Sequence, residues 1–120
     1  MKINYDKRTF RSITNSANGE VSAATVFHYH QSGDIVWATY SGGAIRFGTL
    51  IATVDATGCL DMRYQHVNER GELMTGQCHS SPTILTDGRL RMREHWKWTS
   101  GGRFTGDLAA GVSEIEEVNS

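Results

Sequence analysis

The sequence is poor in proline and cysteine and has no excess of charge of either sign. Pro82 is the single proline, the two cysteines are Cys59 and Cys78, and the formal net charge is −1. A balanced charge creates no basic field that would recruit nucleic acid or anionic lipid, so neither is expected as a partner.

Long apolar runs are also missing. The amino terminus turns polar at Lys2, Asn4 and Asp6, and it lacks the apolar segment of a signal peptide. No stretch approaches the roughly 20 apolar residues that a membrane-spanning helix needs. We therefore expect no membrane partner and a cytoplasmic location.

The two cysteines fall on consecutive predicted strands, so Cys59 and Cys78 could approach each other across a hairpin. Their spacing matches no zinc-binding pattern. A disulfide is possible if the protein is exported. Since the sequence shows no export signal, two buried or half-buried thiols are expected instead.

Glycine-centred turn signals recur along the chain, at residues 32–34, 41–43, 56–58, 69–71, 87–88 and 100–102. Short runs rich in Val, Ile, Thr and aromatics lie between them, which is typical of an antiparallel β meander. The rhythm predicts eight strands, over residues 8–15, 21–31, 34–40, 44–55, 59–68, 72–80, 89–99 and 113–118. No segment favours a substantial helix.

Most of the connections are too short for parallel crossovers, so the sheet should be antiparallel. Closure removes exposed strand edges, and we predict one all-β domain over residues 1–120, an up-and-down barrel of about eight strands. Pro82 should lie between the sixth and seventh strands, where its missing backbone N–H removes no hydrogen bond from the sheet. The segment 100–112 is either a flap over one barrel end or a plain connection.

Alternation along the strands predicts which side chains point inward. The fifth and seventh strands begin with Leu and Met on the inner face and end with polar and aromatic residues. Odd strands of a meander end at the same rim, so one end should be an apolar plug and the other a small-molecule pocket. The candidate ligand-binding residues are Tyr40, Arg46, Tyr64, His66, Glu94, Trp96 and Trp98.

Alternatives exist for several of these residues. Glu94 could pair with Arg46 or His66 inside a filled core. Arg46 leaves the cluster if the opposite face of its strand points inward, the face of Ile45, Phe47, Thr49 and Ile51. His28 and His30 share a strand face and could join a metal site, but the aromatics on the other face suit the core better. We expect no metal and no other cofactor.

Glu94 and His66 are the candidates for catalysis, as proton-transfer groups, because a carboxyl beside two indoles is desolvated and its pKa rises. The sequence has no nucleophile elbow and no phosphate-binding turn before a helix. These observations favour a protein that is not an enzyme.

Several motifs resemble a family of short bacterial proteins of about this length, namely NGEV (18–21), FHYH (27–30), WATYSGG (37–43), YQH (64–66), ELMTG (72–76), EHWKWT (94–99) and IEE (115–117). Some members carry the name N-acetylglutamate synthase, so the resemblance implies an N-acetyltransferase activity. The Arg/Gln-x-x-Gly-x-Gly/Ala turn of acyl-CoA folds is not found here. The expected barrel is calycin-like, an architecture that lipocalins and avidins share.

Three hypotheses follow. The first is a barrel that binds a small, partly apolar ligand at its polar-aromatic end. The second is an enzyme that uses Glu94 and His66, or the N-acetyltransferase. The third is a filled barrel that acts through its surface, with an outer apolar patch or a sheet edge available for a homodimer.

Overall fold

Eight antiparallel strands form a closed barrel in the computed structural model, which describes residues 3–100 and 110–118. The strands are β1 (Thr9–Asn15), β2 (Val26–Ser32), β3 (Ile35–Gly42), β4 (Ile45–Val54), β5 (Leu60–Asn68), β6 (Leu73–Ile84), β7 (Leu90–Trp98) and β8 (Ala110–Glu117). Each strand pairs with its neighbours in sequence, and β1 pairs with β8. The predicted all-β up-and-down barrel is confirmed.

No helical segment among the described residues has the length and hydropathy needed to cross a bilayer. Both cysteines are free, with Cys59 half-buried and Cys78 buried, as expected. His28 is exposed, and His30 stacks on Trp37 with ring centroids 5.7 Å apart. The expectation that these two histidines lie outside the barrel is confirmed.

Three predicted strand boundaries are wrong by three residues or more. One is the start of β8, which lies at Ala110 rather than at residue 113. β2 begins at Val26, because residues 22–25 form a tight turn in which Thr25 N donates to Ser22 O at 2.9 Å. β6 continues to Ile84, so Pro82 lies inside a strand, opposite Met92. The ladder with β5 ends at Ser80. Pro82 therefore has a strand neighbour on one side only, and its missing N–H is tolerated there.

The lower end of the barrel, where the odd strands begin, is an apolar plug. Of the predicted leucines and methionines it contains Leu60, Leu90 and Met92, and all three are fully buried. The sequence reasoning missed Tyr5, which is also fully buried and whose hydroxyl donates to Gly58 O. Burying a large aromatic side chain contributes roughly 2–3 kcal/mol, so Tyr5 fastens the amino-terminal segment across this end.

A bulge in β4 decides the facing that alternation left open. The register with β5 shifts between Ile45 and Phe47, so Ile45 is buried while Phe47 is 56% exposed. Neither of the two predicted faces of β4 is therefore correct along its whole length. Gly48, Leu50 and Ala52 point inward, and Arg46 is exposed.

Three inward-facing glycines make room for aromatic rings on the adjacent strands. A Cβ at Gly48 would overlap Tyr40, one at Gly76 would overlap Tyr64, and one at Gly111 would overlap Trp96. Each glycine stands directly opposite its aromatic partner in the ladder, so the ring lies over bare backbone. The bulky aromatic residues of the upper barrel depend on this pairing.

We expect Gly76→Ala to lower the free energy of unfolding by about 1–3 kcal/mol, because the new methyl group displaces the Tyr64 ring. Gln77→Ala is the matched control, since residue 77 is exposed on the same strand. Urea unfolding of both variants checks this. Equal stability of the two variants would show that Tyr64 does not need the bare backbone.

Candidate functional site

A cavity of about 50 Å³ lies in the upper half of the barrel, beneath the rim where the odd strands end. All of the predicted site residues line it except Arg46: Tyr40, Tyr64, His66, Glu94, Trp96 and Trp98. Phe27, Leu50 and Met62 complete the apolar walls. A cavity of this size exceeds several-fold the minimum that one water molecule needs.

Several pairs of rings around the cavity stand at steep angles to one another. Trp96 and Trp98 have centroids 5.6 Å apart and planes at 62°, while Tyr64 and Trp98 are 6.0 Å apart at 68°. Trp98 also meets His66 edge to face at 5.7 Å. Such edge-to-face contacts hold each ring in a defined orientation.

Glu94 is buried on the inner face of β7, two residues before Trp96. Ser80 on β6 and Ser113 on β8 flank it in the ladder, and Ser80 Oγ donates to Glu94 Oε2 at 3.1 Å. Burial raises the pKa of Glu94 to about 7, and the Ser80 hydrogen bond opposes this rise only in part. The site thus holds a carboxyl that is easily protonated.

His66 lies at the centre of a hydrogen-bonded chain. Its Nδ1 is 3.0 Å from the hydroxyl of Tyr40, and its Nε2 is 2.8 Å from Oε1 of Glu20. Burial lowers the pKa of His66, and the Glu20 hydrogen bond opposes this. A neutral imidazole that donates from Nε2 to Glu20 and accepts the Tyr40 proton at Nδ1 satisfies all three groups.

Residues 16–25, which connect β1 to β2, roof the cavity. Asn18 O accepts a hydrogen bond from Trp98 Nε1 at 3.1 Å, and Asn18 Nδ2 donates to Ala110 O at 2.9 Å. Glu20 accepts from Asn68 Nδ2 at 2.9 Å and pairs with Arg70 at 3.3 Å. The roof is therefore fastened to three strands, β5, β7 and β8, and to the turn that follows β5. Most of the predicted flap, residues 101–109, lies outside the described residues.

The sequence reasoning missed Glu20, Asn15 and Asn68. Glu20 lies in the connection between the first two predicted strands, and no periodicity shows that this connection folds over the barrel. Asn68 continues the inward series Leu60 to His66 and could have been found from parity alone. Asn15 lines the cavity at the end of β1.

Two buried polar atoms have no hydrogen-bond partner within residues 3–100 and 110–118. They are Asn15 Oδ1, on a residue that lines the cavity, and the hydroxyl of Tyr29. Buried polar atoms are nearly always paired in proteins, so Asn15 keeps one acceptor that no described residue satisfies.

The pairings predicted for Glu94 are not formed. Arg46 is exposed, and both ring nitrogens of His66 have Tyr40 and Glu20 as partners. Across the described part of the chain, no group of three or more His, Cys, Asp or Glu side chains is placed to hold a metal ion. The buried carboxyl of Glu94 therefore lines the cavity, whereas His66 is hydrogen-bonded to Glu20 in the roof.

A comparison with protein families matches residues 3–118 to the model described as Avidin-like protein. Searches of the curated proteins and of the solved structures found no match. The matched segment includes all eight strands and every residue that lines the cavity.

We expect Glu94→Gln to raise the free energy of unfolding by about 2–3 kcal/mol at pH 8 and to change it little at pH 4.5. Folding raises the pKa of Glu94 from 4.5 to about 7, so the folded state binds this proton more tightly than the unfolded chain. That stabilisation is complete below pH 4.5 and is lost as the pH rises toward 7, whereas glutamine mimics the protonated form throughout.

Thermal and urea unfolding at several pH values measure this difference. Glu69→Gln, which changes an exposed carboxylate, is the control and should leave the pH dependence unchanged. A destabilised Glu94→Gln variant at pH 8 would contradict the interpretation of Glu94 as an uncompensated buried acid.

Proposed function

Because the chain belongs to the avidin-like protein family, we propose that it binds a small, partly apolar ligand in the cavity at the polar-aromatic end of the barrel. The observation that carries this proposal is the cavity itself, which has aromatic and aliphatic walls and a few convergent polar groups. This combination is typical of small-molecule sites.

The lining residues divide into walls and polar contacts. Trp96, Trp98 and Tyr64 supply large, oriented apolar surfaces against which a ligand can stack. Glu94 and Asn15 are the polar lining residues that we expect to bond a ligand. The chain from Tyr40 through His66 to Glu20 holds the roof in place, so His66 positions the site rather than contacting the ligand by a ring nitrogen.

We propose binding rather than catalysis for this site. General acid–base chemistry needs a histidine or carboxyl within hydrogen-bond reach of the reacting proton. Both nitrogens of His66 already have partners, so this histidine has no ring nitrogen left to exchange a proton with a ligand. These contacts support a preorganised binding pocket, in which polar groups are held ready at fixed positions.

The outer face of β3 and β4 supports a second proposal, that two copies of the chain associate. Outward side chains there are uncharged over a patch formed by Ile35, Trp37, Thr39, Thr49, Ile51 and Thr53. Trp37 and Ile51 stand opposite each other and are 40% and 57% exposed. A symmetric contact through this patch would bring no charged side chains of the same sign together. Barrel closure leaves no free sheet edge for pairing among the described strands, so the face is the better candidate.

We expect Leu50→Phe to weaken ligand binding at least about tenfold, because the larger ring occupies most of the cavity. Ile51→Phe makes a comparable change at the next position, which points outward, and should leave affinity unchanged. A thermal-shift screen of small molecules that includes biotin identifies ligands, since ligand at 100 times its Kd stabilises the fold by about 2.7 kcal/mol. Calorimetric titration then compares the variants.

The binding proposal fails if no small molecule stabilises the wild-type chain. It also fails if the hits bind Leu50→Phe as tightly as they bind Ile51→Phe, because the ligand would then lie elsewhere.

For the second proposal, we expect the wild-type chain to form a dimer and the Ile51→Glu variant to be a monomer. The reason is that a buried unpaired charge opposes association. Ile84→Glu, at another exposed isoleucine on β6, is the control and should leave the dimer intact. Sedimentation velocity over a concentration series measures both. A monomeric wild-type chain, or a dimer that persists in Ile51→Glu, would exclude this surface as the contact.

A further inference from the structure

We propose that the head group which enters the cavity is a compact organic ammonium ion that carries at least one N–H, bound between Trp96, Trp98 and the carboxylate of Glu94. This inference rests on the binding function proposed above and names the chemical class of its ligand. Three independent features of the cavity support it: its aromatic walls, its charge and its unpaired acceptor.

The aromatic walls suit a cation. Trp96 and Trp98 meet at 62° and Tyr64 and Trp98 at 68°, so the rings form adjoining walls rather than one flat stack. The face of each ring carries partial negative charge, and indole attracts a cation more strongly than other side-chain rings do. Several ring faces around one small cavity would add their attractions.

The charge of the cavity points the same way. No lysine or arginine is among the residues found to line it, whereas Glu94 and Glu20 are. Glu20 is already bonded to His66 and Asn68. Glu94, in contrast, is buried and forms no ion pair with any part of the chain that the structure describes. A buried carboxylate without a counter-ion is unfavourable, and a bound ammonium would supply that charge.

The unpaired acceptor selects among cations. Asn15 Oδ1 is buried without a hydrogen-bond partner in the described chain, on a residue that lines the cavity. An ammonium N–H can donate to Asn15 Oδ1 and to Glu94, whereas a quaternary ammonium has no hydrogen to donate. The cavity of about 50 Å³ admits a compact head group only.

Ammonium binding should strengthen as the pH rises through the range in which Glu94 ionises. The pKa of Glu94 is raised to about 7 by burial. The titratable groups that surround it are Tyr29 on β2, Tyr40 on β3, Tyr64 on β5 and Cys78 on β6. Burial raises the pKa of all four, so they stay neutral near pH 7.

Two further ionisable groups line the cavity from the neighbouring elements. His66 on β5 is neutral near pH 7, because burial lowers its pKa. Glu20 belongs to the roof and is bonded to His66 and Asn68. Glu94 is therefore the group whose ionisation should control ammonium binding between pH 6 and pH 8.

Two probes of equal shape test the charge requirement. Neopentylamine is protonated at pH 8, and neopentyl alcohol is its neutral counterpart. We expect calorimetry to show at least about tenfold tighter binding of the amine by the wild-type chain at pH 8. This preference should shrink at pH 6 and fall several-fold in Glu94→Gln, where only the attraction of the aromatic rings remains, whereas Glu69→Gln should retain it in full.

Each outcome is decisive. Equal or tighter binding of the alcohol at pH 8 overturns the ammonium assignment and leaves the binding function intact. An unchanged amine preference in Glu94→Gln also overturns it. If neither probe binds but another small molecule binds in the cavity, the proposed ligand class is wrong. If no small molecule binds at all, the proposed function itself has failed. Unfolding curves for Glu94→Gln confirm that it is folded during these measurements.

Discussion

The ladder between β1 and β8 is the interaction on which the rest of the structure depends. It joins residues from opposite ends of the chain, so that Phe10 stands opposite Glu117 and Asn15 opposite Ser113. Closure of the sheet defines an inside, and only an inside can hold a cavity. The same ladder places the end of β1 against β8, so the roof that follows Asn15 is held over the upper rim.

Above the apolar plug, residues without a side chain on one strand stand opposite large aromatic residues on the next strand. Inward glycines on β4, β6 and β8 leave bare backbone, and aromatic rings on the adjacent strands lie over it. Large rings can then point inward without filling the barrel, because their bulk is accommodated at the wall. The remaining space is small and mostly apolar, which strengthens any electrostatic contact formed there.

The buried carboxyl of Glu94 breaks the rule that interior groups should be paired, and such violations tend to occur at functional sites. Burial destabilises its ionised form, and the hydrogen bond from Ser80 offsets this only in part. A barrel used only as a scaffold would be more stable with an apolar residue at this position. This cost to folding supports the proposal that the site serves a ligand.

Sequence patterns by themselves determined the number and direction of the strands and the inner faces of β5 and β7, because turns and alternation are local properties. Because the odd-numbered strands end at the same rim, the sequence also places most of the cavity residues there. Only the tertiary structure decided the facing of Arg46, the place of Pro82 within β6 and the closing roles of Tyr5 and Glu20. A bulge reverses parity without a sequence signal. The length of β6 depends on its pairing with β7, which no local pattern shows. The contacts of Tyr5 and Glu20 are made with surfaces that exist only after the barrel has closed.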